Sequence, residues 1–258
     1  MLKENLMNLS TVKVEAVGLK ISRRTFLSIV GSAVGAAAVY SWAETLRIEV
    51  TRLKLDLGLK LAFLVDTHIH FFGPVEEQVL KLLSREDPDV ILHGGDIIDE
   101  YTGGLEPVKE YFSALDAPKK YAVLGNHDHW SNRIPELSAV LRRECGFQLL
   151  LNDVVEVSGW RLFGVDWRDD RRYPLINDVD IVLAHDPNVA PQVRRARLIL
   201  AGHTHGGVVV GGITIISNSI YTRGLYPLED RGILYVSRGL GQILPFRPTS
   251  PLELVIIE

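Results

Sequence analysis

Five short polar fragments, each carried at the end of an apolar run, constrain this chain more than any other feature of it. They are Asp66-Thr67-His68, Gly95-Asp96-Ile97-Ile98-Asp99, Gly125-Asn126-His127-Asp128, Ala184-His185-Asp186 and Gly202-His203-Thr204-His205. Together they supply carboxylates, imidazoles and one amide, side chains that hold divalent cations. A fold that uses them must bring residues from Asp66 through His205 to one point. Parallel strands do this, because in α/β proteins the carboxyl ends of the strands converge on one crevice.

The spacing between the fragments agrees with such a fold. Leu61 to Val65 is an apolar run ending at Asp66, and Val90 to Leu92 leads through Gly94 and Gly95 to Asp96. Tyr121 to Leu124 delivers Asn126, Ile181 to Ala184 delivers His185, and Leu198 to Ala201 delivers His203. Between the first three runs lie stretches of helical period, one starting at Pro74 with Val75, Val79, Leu82 and Leu83 on a face, one carrying Val108, Tyr111, Phe112 and Leu115. A third helix is predicted from Pro135 to Glu144. Short strands are predicted at Gln148–Leu151, Val154–Val157 and Arg161–Val165, and again at Ile213–Ile216, Ile233–Val236 and Leu252–Ile257. The expected architecture is α/β, with two packed sheets flanked by helices.

Length and charge narrow the function. The 258 residues suffice for one α/β domain and a short extra segment. A net charge of −4 provides no basic field of the kind nucleic acid requires, so no nucleic-acid partner is expected. Cys145 is the only cysteine, which excludes a disulfide framework and any cysteine-built zinc site. Five of the eight histidines lie in the fragments, while His70, His93 and His129 stand outside them and are expected to be structural or supporting.

The N-terminal region reads as an address. Ser22-Arg23-Arg24-Thr25-Phe26-Leu27 opens a stretch to Ala43 without a charged residue, and it resembles a twin-arginine export signal. As a helix, Thr25 to Ala43 reaches about 28 Å at about 1.5 Å per residue, close to the roughly 30 Å of a bilayer's hydrocarbon core. Residues 1–43 are therefore expected to be an export signal or a single membrane anchor, with residues 44–258 forming the functional domain. Lys20, Arg23 and Arg24 place the N-terminus on the cytoplasmic side and the domain on the outer face of the membrane.

Two cations about 3.5–4 Å apart stabilise both the attacking and the leaving oxygen of an in-line displacement at phosphorus, and one of them lowers the pKa of a bound water. Such a pair needs a bridging carboxylate, and Asp96, behind two glycines, is the natural bridge. The fragments resemble the pattern of the calcineurin-like metallophosphoesterases: Asp-x-His, Gly-Asp-x-x-Asp, Gly-Asn-His-Asp/Glu, a lone His and Gly-His-x-His. The resemblance implies a four-layer α-β-β-α sandwich with two mixed sheets. It implies that Asp66, His68 and His205 hold one metal, that Asn126, His185 and His203 hold the other, and that Asp96 bridges them. The two divalent ions would be Mn, Fe, Zn or Co. His127 would act as general acid or electrostatic stabiliser beside the phosphoryl group, with Asp128 orienting its ring, and Asp99 would anchor the loop.

Within that family the chain looks most like the membrane-associated, export-signal-bearing branch, through Gly206-Gly207, Arg223 to Tyr226 and Tyr235 to Gly241. Val208 departs from it, since Gln often follows the two glycines there. The branch implies a phosphodiesterase or pyrophosphatase acting on a cell-envelope or lipid-linked phosphoester by attack of metal-bound hydroxide. Arg223 and Arg238 are candidate contacts to its phosphate, and the loops Trp167 to Tyr173 and Leu225 to Pro227 are expected to select the leaving group.

Two rival readings are weaker. Val65 to His70 also resembles the His-x-His strand of metal-dependent amidohydrolases, but that barrel needs eight βα units and gives no account of Gly-Asn-His-Asp or Gly-His-Thr-His. A non-catalytic metal-binding envelope scaffold would tolerate lost ligands, whereas every expected position is filled here.

Overall fold

A computed structural model describes residues 21–229, 231–242, 247 and 249–258. The first twenty residues of the expected export segment, Lys20 included, lie outside the described residues. The chain divides into two compact units, residues 1–37 and 38–258. In the first, the described residues are almost entirely helical. The helix α1 (Arg23–Glu44) is long and apolar enough to cross a membrane, and its aliphatic and aromatic side chains are exposed.

In the second unit the elements follow in the order β1 (Ile48–Leu53), β2 (Leu61–Leu64), α2 (Pro74–Glu86), β3 (Val90–His93), α3 (Glu106–Ala114), β4 (Lys119–Ala122), α4 (Asn126–Trp130), α5 (Ile134–Arg143), β5 (Gln148–Leu149), β6 (Asp153–Val157), β7 (Trp160–Gly164) and β8 (Ile181–Leu183). A 3-10 helix (Pro187–Gln192) precedes β9 (Leu198–Ala201), β10 (Val208–Val210), β11 (Ile213–Ile216), β12 (Gly224–Leu228), β13 (Gly232–Val236) and β14 (Leu252–Ile257).

Two six-stranded mixed sheets carry the unit. The first runs β1-β14-β2-β3-β4-β5, with β2 to β5 parallel and β14 antiparallel to β2. The second runs β12-β13-β9-β8-β7-β6, parallel from β13 to β7 with an antiparallel strand at each edge. The strand period of two divides each strand between two cores. Phe63, Leu92 and Val255 face Leu162, Leu183 and Leu200 between the sheets. Ala62, Leu64 and Ile91 turn outward, onto Val79, Leu83, Val108, Phe112 and Leu141 of the helices. The helix α2 starts as the sequence predicts, with Pro74 in its first turn and the Glu76 carboxylate accepting from the Gly73 N–H.

Two mixed sheets with helices outside them match the expected architecture, with one difference of detail. The outer face of the second sheet, Val182, Ile199 and Leu234, is covered by the 3-10 helix and irregular segments around Tyr173 and Ile176 rather than by an α-helix. Pro191 explains this, since a proline inside a helix removes a backbone donor and clashes with the preceding turn. Leu225 to Pro227, expected as a loop, lies in β12.

Candidate metal centre

Every fragment sits at the carboxyl end of a parallel strand. β2, β3 and β4 of the first sheet deliver Asp66 and His68, Asp96, and Asn126; β8 and β9 of the second deliver His185, and His203 and His205. Backbone hydrogen bonds carry the pairing past the strand ends: Asp66 N–H donates to Gly95 O, His68 N–H to Asp96 O, and Gly202 N–H to His185 O. The fragments are thus held at fixed offsets before any side chain is considered.

The local backbone is strained in a consistent way. Asp66, His68, Asp96, His203 and His205 all adopt positive φ, from 43° to 72°. Left-handed backbone is unfavourable for side chains other than Asn and Asp and persists where the surroundings impose it, typically at functional sites. Gly95, at φ 90°, packs against Gly125, and a Cβ on Gly125 would overlap the Asp96 carboxylate. The two glycines let the β3 and β4 loops approach closely enough to aim Asp96 inward.

The result is two clusters, buried except for the half-buried His205, within each of which the donor atoms lie within 4.8 Å of one another: Asp66, His68 and His205, and Asp96, His185 and His203. Asn126 joins the second, its Oδ1 lying 3.1 Å from His185 Nε2, which is also 3.1 Å from Asp96 Oδ2 and from His203 Nδ1. Three of the four imidazoles are oriented by their other nitrogen. His185 Nδ1 donates to Gly94 O, His205 Nδ1 to Gly241 O, and His68 Nδ1 to Asp99 Oδ2. Fixing one ring nitrogen so that the other points into a cluster is the usual support of a metal-binding histidine. His68 Nε2, fully buried, has no hydrogen-bond partner, so a donor atom is aimed at a place where a cation fits.

Electrostatics support the same reading. Burial pushes the Asp66 carboxyl up from its ordinary value, with the neighbouring Asp96 charge adding to the effect. Burial opposes charge on His185 too, but the carboxylates of Asp96, Asp66 and Asp128 outweigh it and raise that ring to about 9. Burial and then the charged His185 push His203 down to about 3. Buried carboxylates crowded together need positive charge, which protons on His185 supply only in part and divalent cations would supply in full.

The seven residues expected as ligands thus come together, Asp66, His68 and His205 in one cluster and Asp96, Asn126, His185 and His203 in the other. The orienting role and the arginine beside the cavity fall to other residues than expected. Asp128 does not orient His127. Its carboxylate accepts from the N–H groups of Gly125, Ile97 and Ile98, pinning the β3 and β4 loops together, and burial raises it to about 6. The group on the His127 ring is Glu100, 2.6 Å from Nδ1, a residue missed although it directly follows the Gly-Asp-x-x-Asp fragment. Asp99 anchors its loop through Tyr101 N–H as expected, and also receives His68 and His70.

Arg223 and Arg238 are engaged elsewhere and do not line the cavity beside the clusters. Arg238 pairs with Glu49 and Glu253, and Arg223 donates to Thr249 O and Ser250 Oγ. That cavity, about 540 Å³, is bounded instead by Asp96, Asn126, His127, Trp130, Arg171 and Arg247 among others. Arg247 is buried and donates to three backbone carbonyls, those of Ser250, Gly241 and Arg238. Arg171 lies over the Trp167 ring, with its Nη2 3.0 Å from His203 Nε2. Trp167 in turn packs on His185 and His203, which puts the expected Trp167 to Tyr173 loop at the site.

The sequence profile of the calcineurin-like phosphoesterase family matches residues 59–207, which span all five fragments. An uncharacterized metallophosphoesterase of Aquifex aeolicus is 31% identical, over 84% of this chain and 94% of its own length. The phosphodiesterase YaeI of Escherichia coli is 25% identical, over 92% and 99%. The UDP-2,3-diacylglucosamine pyrophosphatase LpxG of Chlamydia muridarum is 24% identical, over 88% and 95%. The chain belongs to the calcineurin-like phosphoesterase family and is a metallophosphoesterase, a hydrolase of ester bonds.

Proposed function

We propose that the protein hydrolyses a phosphodiester or pyrophosphate bond in a lipid-linked compound of the cell envelope, using two divalent cations. The observation that carries this reading is the pair of clusters at the strand ends, with the His68 Nε2 atom unpartnered between them and Asp96 in contact range of both. Asp66, His68 and His205 would hold one cation, and Asn126, His185 and His203 the other, with Asp96 shared. Mn, Fe, Zn and Co all suit this donor set. When bound, such a pair supplies water activation and charge stabilisation for in-line displacement at phosphorus.

The chain's own residues do the rest. Asp99, Gly94 O and Gly241 O hold three ligand rings in the tautomer that leaves a lone pair facing inward. His127 stands at the cavity wall with Nδ1 on Glu100, so its Nε2 is the atom that would give a proton to the leaving oxygen. Glu100 takes the orienting role first assigned to Asp128. Arg171, held in place by Trp167, is the cation suited to a phosphate oxygen.

The envelope assignment draws support from α1, whose length and hydropathy suit a bilayer, and from relatives named as a lipid pyrophosphatase and a phosphodiesterase. Residues 1–43 are proposed as a twin-arginine export signal or anchor that places the domain outside the cytoplasmic membrane. The purified protein, reconstituted with Mn, Fe, Zn or Co, is expected to hydrolyse bis(p-nitrophenyl) phosphate and to lose that activity with chelator. No turnover with any of the four metals would overturn the reading.

A further inference from the structure

Directly after His205 the chain leaves the metal clusters and forms a hairpin, β10 and β11, that pairs with neither six-stranded sheet. From Gly206 to Thr222 there is not one charged residue. The hairpin instead presents aliphatic side chains to solvent: Val210 is 57% exposed, Ile213 68%, Ile215 61%, Ile216 64%, and Ile220, just beyond it, 79%. Val210 lies opposite Ile213, and the pairing slips between Val208 and Val209, so that Ile215 is an extra residue and Ile216 lies opposite Val208. Exposed apolar patches of this kind mark interaction surfaces, and a two-stranded ribbon is marginal by itself in water.

The shape of the patch selects its occupant. Every residue from Val210 to Ile216 is exposed, so the tip stands free of the rest of the domain, and the headgroup region of a bilayer surrounds such a tip where a protein partner covers one side of it. The absence of charge also suits a lipid interface and offers nothing to an acidic or basic protein surface. The chain carries its own candidate bilayer span in α1, so a membrane is at hand. The hairpin is continuous with the cavity as well. Gly207 and Val208 at its entry and Asn218 beyond its exit all line that cavity, and Asn218 Nδ2 donates to the His203 carbonyl at 3.2 Å.

We propose that the tip of the β10–β11 hairpin inserts into the headgroup region of a lipid bilayer and brings the mouth of the candidate active-site cavity to that surface. Its functional meaning rests on the lipid-linked substrate proposed above. A phosphoester at headgroup depth then reaches the clusters without leaving the membrane, and the acyl chains stay in lipid.

The test uses the full chain reconstituted into phosphatidylcholine vesicles containing doxyl-labelled lipid. Ile215→Cys carries an environment-sensitive dye, Val154→Cys in the edge strand β6 serves as the exposed control, and the native Cys145 is buried. The dye at position 215 should be quenched several-fold more by doxyl lipid than the control and be shielded from iodide, at low and high ionic strength alike, since no charge is involved. Equal access of iodide to both positions overturns the docking. So does shielding from iodide without quenching by doxyl lipid, which indicates a protein contact. The pair Ile213→Ser and Ile215→Ser should leave turnover of soluble bis(p-nitrophenyl) phosphate unchanged and lower hydrolysis of a vesicle-borne pyrophosphate-linked lipid several-fold; an equal rate on that lipid overturns the docking. Lack of turnover in the parent protein would instead overturn the proposed function, and quenching, which needs no turnover, would still decide the docking.

Discussion

The two sheets contribute different chemistry to one site. The first, through β2, β3 and β4, supplies both carboxylates, the amide and one imidazole; the second, through β8 and β9, supplies three imidazoles and no carboxylate. Each cluster draws on both sheets, since Asp66 and His68 meet His205, and Asp96 meets His185 and His203. Neither sheet holds a complete ligand set. A cation at either cluster would therefore tie the sheets together as well as serve catalysis, and removing metal should loosen the seam between them.

Substitutions across the seam test this division. Asp96→Ala removes the carboxylate proposed to be shared by the two cations and should abolish metal binding and phosphodiester turnover, by at least about a thousandfold, measured by metal content and kcat. Full metal occupancy in that variant would break the shared-carboxylate assignment. His127→Ala, on the first-sheet side, should keep its metals but lose about a hundredfold or more in kcat. Glu100→Gln should lose less in the same direction, and Asp128→Ala should lower stability more than it lowers turnover of the protein that remains folded. Unchanged kcat in Glu100→Gln would return the orienting role to another group.

Smaller effects follow on the second-sheet side. With metal at about a hundred times its dissociation constant, binding stabilises by about 2.7 kcal/mol, which is about 5–11 °C in Tm for a chain of this size. Chelation should remove that increment, read by calorimetry, and protease cleavage should then appear in the loops joining the sheets. Arg171→Ala should raise KM for a phosphodiester about tenfold with metal content intact, the loss of one charged hydrogen bond. An effect on kcat alone would assign Arg171 to holding His203 instead.

The smallest effect expected is electrostatic. The hydrogen bond from His129 to Asp166, 2.9 Å long, raises the His129 pKa against the opposing effect of burial. A raised imidazole pKa contributes stability that is complete below the unfolded value of about 6.5 and is lost as pH rises through the folded value. Asp166→Asn should therefore lower stability by up to about 1 kcal/mol near pH 6, and less near pH 9, by urea titration. A deficit that grew with pH would contradict the assignment.

The ligands were legible because each stands at the end of an apolar run, where strand geometry alone decides its position. Their division into two sets came from the family pattern, and the fold gathers Asp66 and His68 with His205, and Asp96 with His185 and His203. What escaped were contacts made across loops. Asp128 is the third residue after Gly125 and caps the short helix α4 through the Gly125 N–H, a local pattern that the sequence does contain. Its two further donors, Ile97 and Ile98, come from another loop and cannot be read from spacing. Arg171 was not singled out within the expected Trp167 to Tyr173 loop, since only the fold shows which of its side chains reaches His203. Strand β1 was missed because Glu49 and Arg52 interrupt its apolar residues, and its pairing with β14 is remote in sequence.

The place of β14 bears on how the protein is made. Last in chain order, it lies between β1 and β2, hydrogen-bonded to both and buried along its whole length. Until residues 252–257 have left the ribosome, the strand that carries Asp66 and His68 keeps one edge open, with an apolar slot beside it. The first sheet can thus close only once residues 252–257 have been made and paired. An exposed strand edge pairs readily with other chains, so this interval is when a chaperone holding that edge would matter most.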